Sequence, residues 1–260
     1  MMSESLKQKM VAYYTKYYRD DCSLPDWKER VENRLHEETL DKERMDRLQQ
    51  VLGLSFNHQK HCIIGAGTAG LAVVLRKYNC DVYGVEPSEE EFAIIQERCI
   101  EEGIDPNNFK KEFGERVSFS DNTFDFVHCF TVLEHVQDIE KCITEMIRIV
   151  KPGGRVYINT PNYSFPYEPH YKIFFPTFLP RWAGALYLRF LRKSPNFLKT
   201  INFITEQQID SILNKQTGIF WTHLYHPQEI SRGRLAWLFN YFKFKKGVVP
   251  NQDIIIYKVR

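Results

Sequence analysis

Apolar and polar positions change their period several times between residues 61 and 161, and the changes divide this stretch into strands and helices. Short apolar runs bounded by turn residues predict strands, and apolar positions three and four residues apart predict helices. We predict strands at 61–65, 81–86, 125–130 and 154–160, and helices at 68–78, 88–102 and 137–150. Such alternation builds a mostly parallel sheet with helices on both faces. The sequence therefore predicts an α/β, Rossmann-like core over residues 59–162.

The segment before this core, residues 1–58, is charged and has apolar positions at helical spacing. We expect it to form an N-terminal helical cap. Its first part carries a stripe of tyrosines, Tyr13, Tyr14, Tyr17 and Tyr18. Such a stripe either packs a helix against the domain or closes over a ligand, and packing is the more ordinary role.

Residues 163–220 do not continue the alternation, and aromatic, proline and basic residues dominate them. Between residues 161 and 220 there are seven Lys and Arg side chains against three Asp and Glu. We expect a helical lid inserted over the mouth of the sheet, and the alternative is a surface for an anionic amphiphile or a membrane interface. Residues 221–260 are expected to return to the core, with a helix over 226–242 and closing strands in FKKGVV and DIIIYKVR.

Composition excludes several classes of protein without changing this outline. The 260 residues carry a net charge of only +2, which argues against a nucleic-acid partner. The six cysteines form no CxxC pair, as expected for buried, reduced thiols in a cytoplasmic protein. We see no secretion signal and no apolar run long enough to span a bilayer, so membrane contact would be peripheral.

The stretch HCIIGAGTAGLAVVLRKYNCDVYGVEP, residues 61–87, carries the chemistry of the core. It reads as a strand, a glycine-rich loop, a helix, and a second strand that ends at Glu86. Small residues let a backbone approach a ligand closely, and a carboxylate accepts strong hydrogen bonds from hydroxyl groups. The glycine spacing fits more than one nucleotide-like cofactor, and NAD is one of them.

Further motifs separate these cofactors. Taken together, GAGTAG, GVEPS, DNTFDFV, LEHV and KPGG resemble the class I S-adenosylmethionine-dependent methyltransferases, in the branch that acts on small molecules. The resemblance covers residues 60–162 and, more weakly, the C-terminal end. It implies a seven-stranded, mostly parallel sheet and S-adenosyl-L-methionine as cofactor. An NAD-dependent oxidoreductase would explain the glycines and Glu86 but not LEHV or KPGG.

The resemblance also implies a set of cofactor-binding residues. The expected contacts are Gly65, Ala66, Gly67 and Thr68 beside the methionine part, Glu86 at the ribose hydroxyls, Pro87 at the adenine edge, and Glu115 and Thr131.

The chain departs from the family's pattern at three positions. Ile63 stands where the family has an acid two residues before the first glycine, and Ala69 stands at a usual glycine. Phe113 stands where an aspartate often reads the adenine amino group, with Glu112 and Glu115 nearby. We therefore expect other groups to hold the two ends of the cofactor. Ile63 is also the best support for an alternative, a non-catalytic methyltransferase-like partner subunit.

The acceptor side depends on LEHV and on the insertion. His135 follows the strand whose end is expected to face the transferred methyl group, so it is the first candidate for a general base. Its alternative role is to hold the loop by hydrogen bonding. His170 is the second candidate, and Glu134 completes the expected catalytic set. A divalent metal on these three residues is the less favoured alternative, because the earlier acid of the metal-binding pattern falls on Thr131.

These inferences converge on methyl transfer to a small-molecule or glycan-type acceptor, at an oxygen atom, with histidine as base and without a metal. An anionic amphiphile is one form that the acceptor could take.

Overall fold

The computed structural model describes residues 2–224, 231 and 236–259. The helices are α1 Glu4–Thr15, α2 Trp27–Leu35, α3 Glu37–Leu52, α4 Gly70–Lys77, α5 Glu89–Glu101, α6 Ile139–Ile149, α7 Arg181–Phe190, α8 Glu206–Leu213 and α9 Ala236–Asn240. The strands are β1 Lys60–Ile64, β2 Asp81–Val85, β3 Phe109–Lys110, β4 Phe124–Phe130, β5 Val150–Pro161, β6 Tyr167–Glu168, β7 Ile173–Phe174, β8 Ile219–His223 and β9 Asn251–Lys258. In this part of the chain no helix is long and apolar enough to cross a lipid bilayer.

Seven of the strands form one sheet in the order β3-β2-β1-β4-β5-β9-β8. The pairs from β3 to β5 are parallel, and β9 runs antiparallel to both of its neighbours. Because β1, β2 and β4 are parallel, their carboxyl ends meet at one edge of the sheet. The predicted seven-stranded, mostly parallel fold is confirmed, and this edge is where ligands bind in such sheets.

Alternating side chains along each strand fill a separate apolar core on each face of the sheet. Ile64 and Val127 belong to one core, whereas Ile63 and Phe126, their chain neighbours, belong to the other. The six cysteines are free and buried, as expected. Helices α4, α5 and α6 lie within the predicted ranges, and α4 begins only at Gly70 because Ala69 is left-handed, with φ 67°.

The KPGG turn lies inside β5 and needs its two glycines for different reasons. Gly153 has a φ of 80°, which only glycine adopts readily. Gly154 has no room for a side chain, because a Cβ there would lie 2.8 Å from the Asp125 carbonyl oxygen.

The insertion after β5 forms the two-stranded β6–β7 hairpin and helix α7, which pack around Tyr171, Phe175 and Leu188. Helix α8 packs instead on the main core through Ile209 and Leu213. β8 joins the main sheet, so α8 and the first two residues of β8 belong to the core although they were predicted to lie in the lid.

The predicted closing strand FKKGVV is wrong. Tyr241–Lys245 is a π-helical turn that follows α9, and the seventh strand of the sheet is β8. Of the helix predicted over 226–242, the residues before α9, except residue 231, lie outside the described residues.

The N-terminal segment forms the expected helical cap from α1, a π-helical turn at Lys16–Asp21, α2 and α3. The side chain of Ser3 accepts a hydrogen bond from the Leu6 N–H at the start of α1, and α3 ends at Gly53 in a left-handed conformation. Leu6, Met10 and Val31 pack with Ile94 of α5, so the cap rests on the core.

A buried carboxylate ties this cap to the glycine-rich loop. Glu37 accepts hydrogen bonds from the hydroxyls of Tyr14 (3.0 Å) and Thr68 (2.7 Å) and forms an ion pair with Arg98, which is 1% exposed. Arg98 also donates to the Thr68 carbonyl at 2.8 Å. A Cβ at Gly70 would lie 2.6 Å from Cδ of Glu37, so the start of α4 must be glycine. We call these four polar residues the Glu37 cluster.

Replacing Arg98 should destabilise the protein strongly. Arg98→Ala leaves the buried Glu37 carboxylate with only the longer ion pair to Arg34, at 3.4 Å, and we expect the free energy of unfolding to fall by about 3 kcal/mol. Urea unfolding followed by circular dichroism measures this change. Arg76→Ala, on the exposed side of α4, is the matched control and should change the free energy by about 0.5 kcal/mol or less. Equal losses in the two variants would contradict the assigned importance of the Glu37 cluster.

Candidate active site

The loop between β1 and α4 is held tightly against its neighbours. The N–H groups of Gly65 and Ala66 both donate to the Val85 carbonyl at 3.0 Å, which joins the loop to the end of β2. Gly65 and Gly67 have φ values of 68° and 55°. A side chain at Gly65 would overlap Val132, so glycine is required for the close approach of this loop to the loop after β4.

A cavity of about 720 Å³ lies over the carboxyl ends of β1, β2 and β4. The core contributes eight lining residues that were expected to bind cofactor or act in catalysis: Gly65, Ala66, Gly67, Thr68, Glu86, Pro87, Thr131 and His135. The sequence analysis expected these residues to come together, and the structure places all of them at one cavity.

The N-terminal cap forms the rest of the cavity wall. The four tyrosines of the stripe line it, and Tyr14 and Tyr18 are also buried in the packing of the cap. The stripe therefore both packs the cap and faces the cavity, which combines the two roles considered from the sequence. The cap adds lining residues that sequence reasoning missed: Arg30, Asn33, Arg34, Glu37, Leu40, Asp41 and Arg44. Helical periodicity alone could not have singled them out.

Glu86 lies directly after β2, and its side chain binds two backbone segments, one in the glycine-rich loop and one just before α5. Its two carboxylate oxygens accept hydrogen bonds from the N–H groups of Gly67 and Ser88, each at 2.9 Å. Burial, and then the neighbouring carboxylate of Glu91, raise the pKa of Glu86 to about 7. Two backbone donors favour the ionised form but do not outweigh burial. Glu86 can therefore change its charge near neutral pH.

The position two residues before Gly65 carries no acid, but an acidic side chain from the N-terminal cap contacts the glycine-rich loop. Ile63, which stands at that position, is buried and lines the cavity. The carboxylate of Glu37, from the cap, contacts Thr68 in the loop instead.

The far end of the cavity holds a chain of hydrogen-bonded residues. His135 faces the cavity, and its Nε2 lies 3.2 Å from Nε2 of His170. Nδ1 of His170 lies 2.7 Å from the carboxylate of Glu168, which is fully buried and also accepts from the Tyr171 N–H. The insertion thus carries His170 to the end of β4, and the two candidate histidines form a pair.

The two histidines have opposite pKa shifts. The side chain of His135 is exposed at the cavity, but the protein groups around it partly desolvate the ring, and this desolvation, followed by the positive charge of His170, lowers its pKa to about 4. Burial also disfavours the charged form of His170, but the hydrogen bond and charge of Glu168 outweigh it and raise the pKa of His170. His135 is therefore a neutral imidazole at physiological pH, with a partner suited to carry a proton.

Glu134 lies beneath this pair. Its Oε2 accepts a hydrogen bond from the Thr160 hydroxyl at 3.0 Å, whereas Oε1 is buried and has no partner among the described residues. Burial raises the pKa of Glu134 to about 7. One ligand atom each from Glu134, His135 and His170 lie within 4.8 Å of one another, so these residues could hold a divalent cation. Thr131 supplies no carboxylate, and its hydroxyl donates to the Phe130 carbonyl at 2.7 Å.

One expected cofactor ligand lies elsewhere. Glu115 does not line the cavity, and its Oε1 accepts a hydrogen bond from the Gln137 N–H at 2.6 Å. The nearby Phe113 is 59% exposed, and Glu112 accepts from the Ser118 N–H. The geometry therefore gives Glu115 a loop-holding contact and not a place at the cavity.

Comparison with known proteins gives a family and a shared fold. A model of the methyltransferase domain matches residues 36–219. A ubiquinone biosynthesis O-methyltransferase of Colwellia psychrerythraea is 32% identical over 101 residues, which is 39% of this chain and 41% of that protein. The chain therefore aligns with less than half the length of this curated relative.

Two solved structures share the fold at low identity. A Methanococcus maripaludis protein assigned to the S-adenosyl-L-methionine-dependent methyltransferases is 14% identical with a TM-score of 0.56, and the match covers 100% of this chain and 98% of that one. Phosphoethanolamine N-methyltransferase 2 of Haemonchus contortus, solved with S-adenosylhomocysteine, is 18% identical with a TM-score of 0.53. That match covers 82% of this chain and 51% of the nematode protein.

The pairing of Glu86 with Glu91 predicts a measurable titration. Glu91→Gln removes the negative charge that favours the protonated form of Glu86, so the pKa of Glu86 should fall from about 7 toward its ordinary value of 4.5. Carboxyl ¹³C NMR across pH 4 to 9 measures the midpoint. Glu90→Gln, an exposed acid on the same helix, is the control and should leave the midpoint unchanged.

The raised pKa of Glu86 also determines whether the stability of the protein rises or falls with pH. The folded protein holds the Glu86 proton more tightly than the unfolded chain, so stability should fall as the pH rises from about 4.5 to about 7. A Glu86 midpoint near 4.5 in the wild-type protein would contradict the assigned burial.

Proposed function

This chain belongs to the methyltransferase-domain family and is an S-adenosylmethionine-dependent methyltransferase, and from that premise we propose that it methylates a hydroxyl oxygen of a small-molecule or glycan-type acceptor. The observation that carries the proposal is the neutral His135 at the cavity wall, backed by His170 and Glu168. Membership of this family identifies the cofactor as S-adenosylmethionine and not NAD. It also favours an enzyme over a non-catalytic subunit. The Colwellia relative is named as an O-methyltransferase, which supports oxygen as the acceptor atom.

The residues of the glycine-rich loop and Glu86 suit this cofactor. Bound S-adenosylmethionine supplies an electrophilic methyl group on a positively charged sulfur. Gly65, Gly67 and Thr68 line the cavity and would border its methionine part. Glu86 would accept hydrogen bonds from the ribose hydroxyls, and Pro87 would border the adenine. These contacts would hold the cofactor at the carboxyl end of the sheet.

His135 is proposed as the general base. A hydroxyl group becomes a good nucleophile as its proton leaves, and a neutral imidazole at the cavity wall can accept that proton. Because Nε2 of His135 lies 3.2 Å from Nε2 of His170, Nδ1 of His135 would accept the proton of the acceptor, and the carboxylate of Glu168 would stabilise the positive charge of the histidine pair. His170 would therefore support the base rather than replace it.

The cap supports a small acceptor that is enclosed during the reaction. Its tyrosines and Arg30, Arg34 and Arg44 surround the part of the cavity above the loop. Arg44 lies over the ring of Phe130 at 4.7 Å, which leaves a flat aromatic and cationic wall. Phenolic, sugar or anionic hydroxyl compounds fit such a wall. Their enclosure in the cavity would hold the hydroxyl group in line with the methyl group.

A metal-assisted reaction is the second candidate. It is favoured by one observation, the grouping of Glu134, His135 and His170 with an unpartnered buried oxygen on Glu134. A divalent cation there would bind the acceptor oxygen and make its proton more acidic. Two histidines and one carboxylate leave open positions for such a ligand.

Cofactor binding should depend on Glu86. S-adenosylhomocysteine should raise the melting temperature of the wild-type protein, because a ligand that binds only the folded state stabilises it, whereas NAD should not. In Glu86→Ala the loss of charged hydrogen bonds should weaken binding by about 1.5–3 kcal/mol. Calorimetric titration measures the affinity, and Glu90→Ala is the control. Unchanged affinity in Glu86→Ala would remove this residue from the site, and stabilisation by NAD alone would overturn the choice of cofactor.

Turnover should depend on His135. Once a panel of phenols, catechols and sugars has supplied an acceptor, release of S-adenosylhomocysteine reports the rate. His135→Ala should lower kcat by about a hundredfold to ten-thousandfold while S-adenosylhomocysteine affinity is kept. His170→Ala should have a smaller effect, because His135 stays in place.

The same assay separates base catalysis from the metal-assisted reaction. Full activity of both histidine variants would contradict base catalysis by histidine. Loss of wild-type activity in a chelator, restored by a divalent cation, would establish the metal-assisted reaction in its place.

A further inference from the structure

Helix α7 exposes a continuous row of large apolar side chains. Phe178, Trp182, Leu186 and Phe190 are 85%, 70%, 56% and 83% exposed. Residues four apart lie on the same face of a helix, so the last three form a stripe along α7, and Phe178 extends it in the turn before the helix. Exposed apolar residues are ordinary when scattered, but a contiguous row of this size marks an interaction surface.

The orientation of α7 is fixed from its other side. Leu188 is fully buried against Phe175 and Leu198. A Cβ at Gly184 would lie 2.8 Å from Cζ of Phe175, so the helix sits as close to its neighbours as glycine allows. The exposed stripe is therefore the outer face of a packed helix and cannot turn inward.

The segment that carries the stripe has positive charge and no negative charge in its sequence. From residue 169 to residue 205 the sequence has no Asp or Glu, but it has six cations: Lys172, Arg181, Arg189, Arg192, Lys193 and Lys199. The whole chain, by contrast, has 35 Lys and Arg against 33 Asp and Glu. Arg189 and Arg192, at the end of the stripe, are exposed. Acids are thus excluded from the segment that exposes the apolar row.

A second segment repeats the pattern. In α9 and the π-helical turn after it, Trp237, Tyr241 and Phe244 are 71%, 45% and 52% exposed. Residues 231–250 contain five Lys and Arg and no Asp or Glu. Two stretches far apart in sequence therefore combine exposed aromatic residues with cations and no acids.

Both segments pack on the β6–β7 hairpin. The hydroxyl of Tyr187 in α7 donates to the Phe174 carbonyl of β7 at 3.0 Å. Phe239 of α9 contacts the ring of Tyr167 of β6, with centroids 5.8 Å apart. The hairpin thus connects the two aromatic segments to each other.

We propose that α7 and the Trp237–Phe244 segment form a docking surface for the face of an anionic lipid bilayer. Apolar and aromatic side chains on one helix face enter the boundary between headgroups and acyl chains, and flanking cations attract anionic headgroups. Tryptophan and tyrosine are favoured at that depth because their rings are amphipathic. The charge pattern selects this partner, since two exposed aromatic segments with cations and no acids complement a layer of negative headgroups. The proposal is independent of which acceptor the enzyme methylates.

The full chain can be tested with vesicles of phosphatidylcholine, with and without phosphatidylglycerol, in a sedimentation assay. The wild-type protein should bind the anionic vesicles, and added salt should weaken the binding because it screens the charges. The double variant Trp182→Ser with Phe190→Ser should bind about tenfold or more weakly, since each substitution removes a large apolar group from the bilayer. Arg189→Gln with Arg192→Gln should weaken binding to anionic vesicles only.

Two controls make the result specific. Ile100→Ser with Phe113→Ser removes side chains that are 69% and 59% exposed outside these segments, and its binding should equal that of the wild type. Tryptophan emission should shift to shorter wavelength on addition of anionic vesicles, and Trp182→Phe should reduce this shift while binding is kept. Melting temperatures close to the wild-type value show that each variant is folded.

Three outcomes would overturn the proposal. One is a failure of the wild-type protein to bind anionic vesicles. Another is equal weakening by the stripe variant and the control variant. The third is a wild-type dimer by light scattering that the stripe variant converts to a monomer without any vesicle binding, which would make the stripe a contact between copies of this chain.

Discussion

The buried carboxylate of Glu37 joins three parts of the chain that are distant in sequence. It pairs with Arg98 of α5, accepts a hydrogen bond from Thr68 of the glycine-rich loop, and accepts another from Tyr14 of α1. A charge in the interior is tolerated only when it is paired and fully hydrogen-bonded, so the three parts must assemble together. The cavity depends on this assembly, because its floor is the loop and its wall is the cap.

The pattern of neighbouring residues was enough to predict the strands and helices of the core. It was not enough to predict that the N-terminal cap contributes residues to the candidate site. The alternation of Ile63 and Ile64 between two cores, and the capping of α5 by Ser88, are written in neighbouring residues and were predictable. The pairing of Glu37 with Arg98 joins residues 61 positions apart and leaves no periodic signal. Pairing across the sheet, likewise, decided that β8 and not FKKGVV borders β9. Most residues of the candidate site could be predicted from motifs, because the loops that carry these motifs lie at one edge of the sheet. Glu115 was predicted from a part of the family's pattern that this chain does not keep.

Burial sets the electrostatic character of the cavity. It raises the pKa values of Glu86 and of Glu134 behind the wall to about 7, and partial desolvation lowers that of the exposed His135 to about 4. Both kinds of group are thereby moved toward their neutral forms, so the wall carries less charge than its composition suggests. A positively charged sulfonium that enters such a space favours the ionised acids, and its binding is coupled to the release of protons. The same low polarity strengthens each hydrogen bond made inside.

The family match begins at residue 36, whereas the tyrosine stripe, Arg30 and Arg34 lie before it. Part of the cavity wall therefore lies outside the stretch that the family shares, whereas Glu37, Leu40, Asp41 and Arg44 lie within it. Insertions, substitutions or recombination before residue 36 can remodel what the cavity admits while the methyl-transferring core stays intact, provided that a hydroxyl equivalent to that of Tyr14 still reaches Glu37. A change in α1 or α2 would therefore alter the wall of the cavity without altering the residues of the glycine-rich loop.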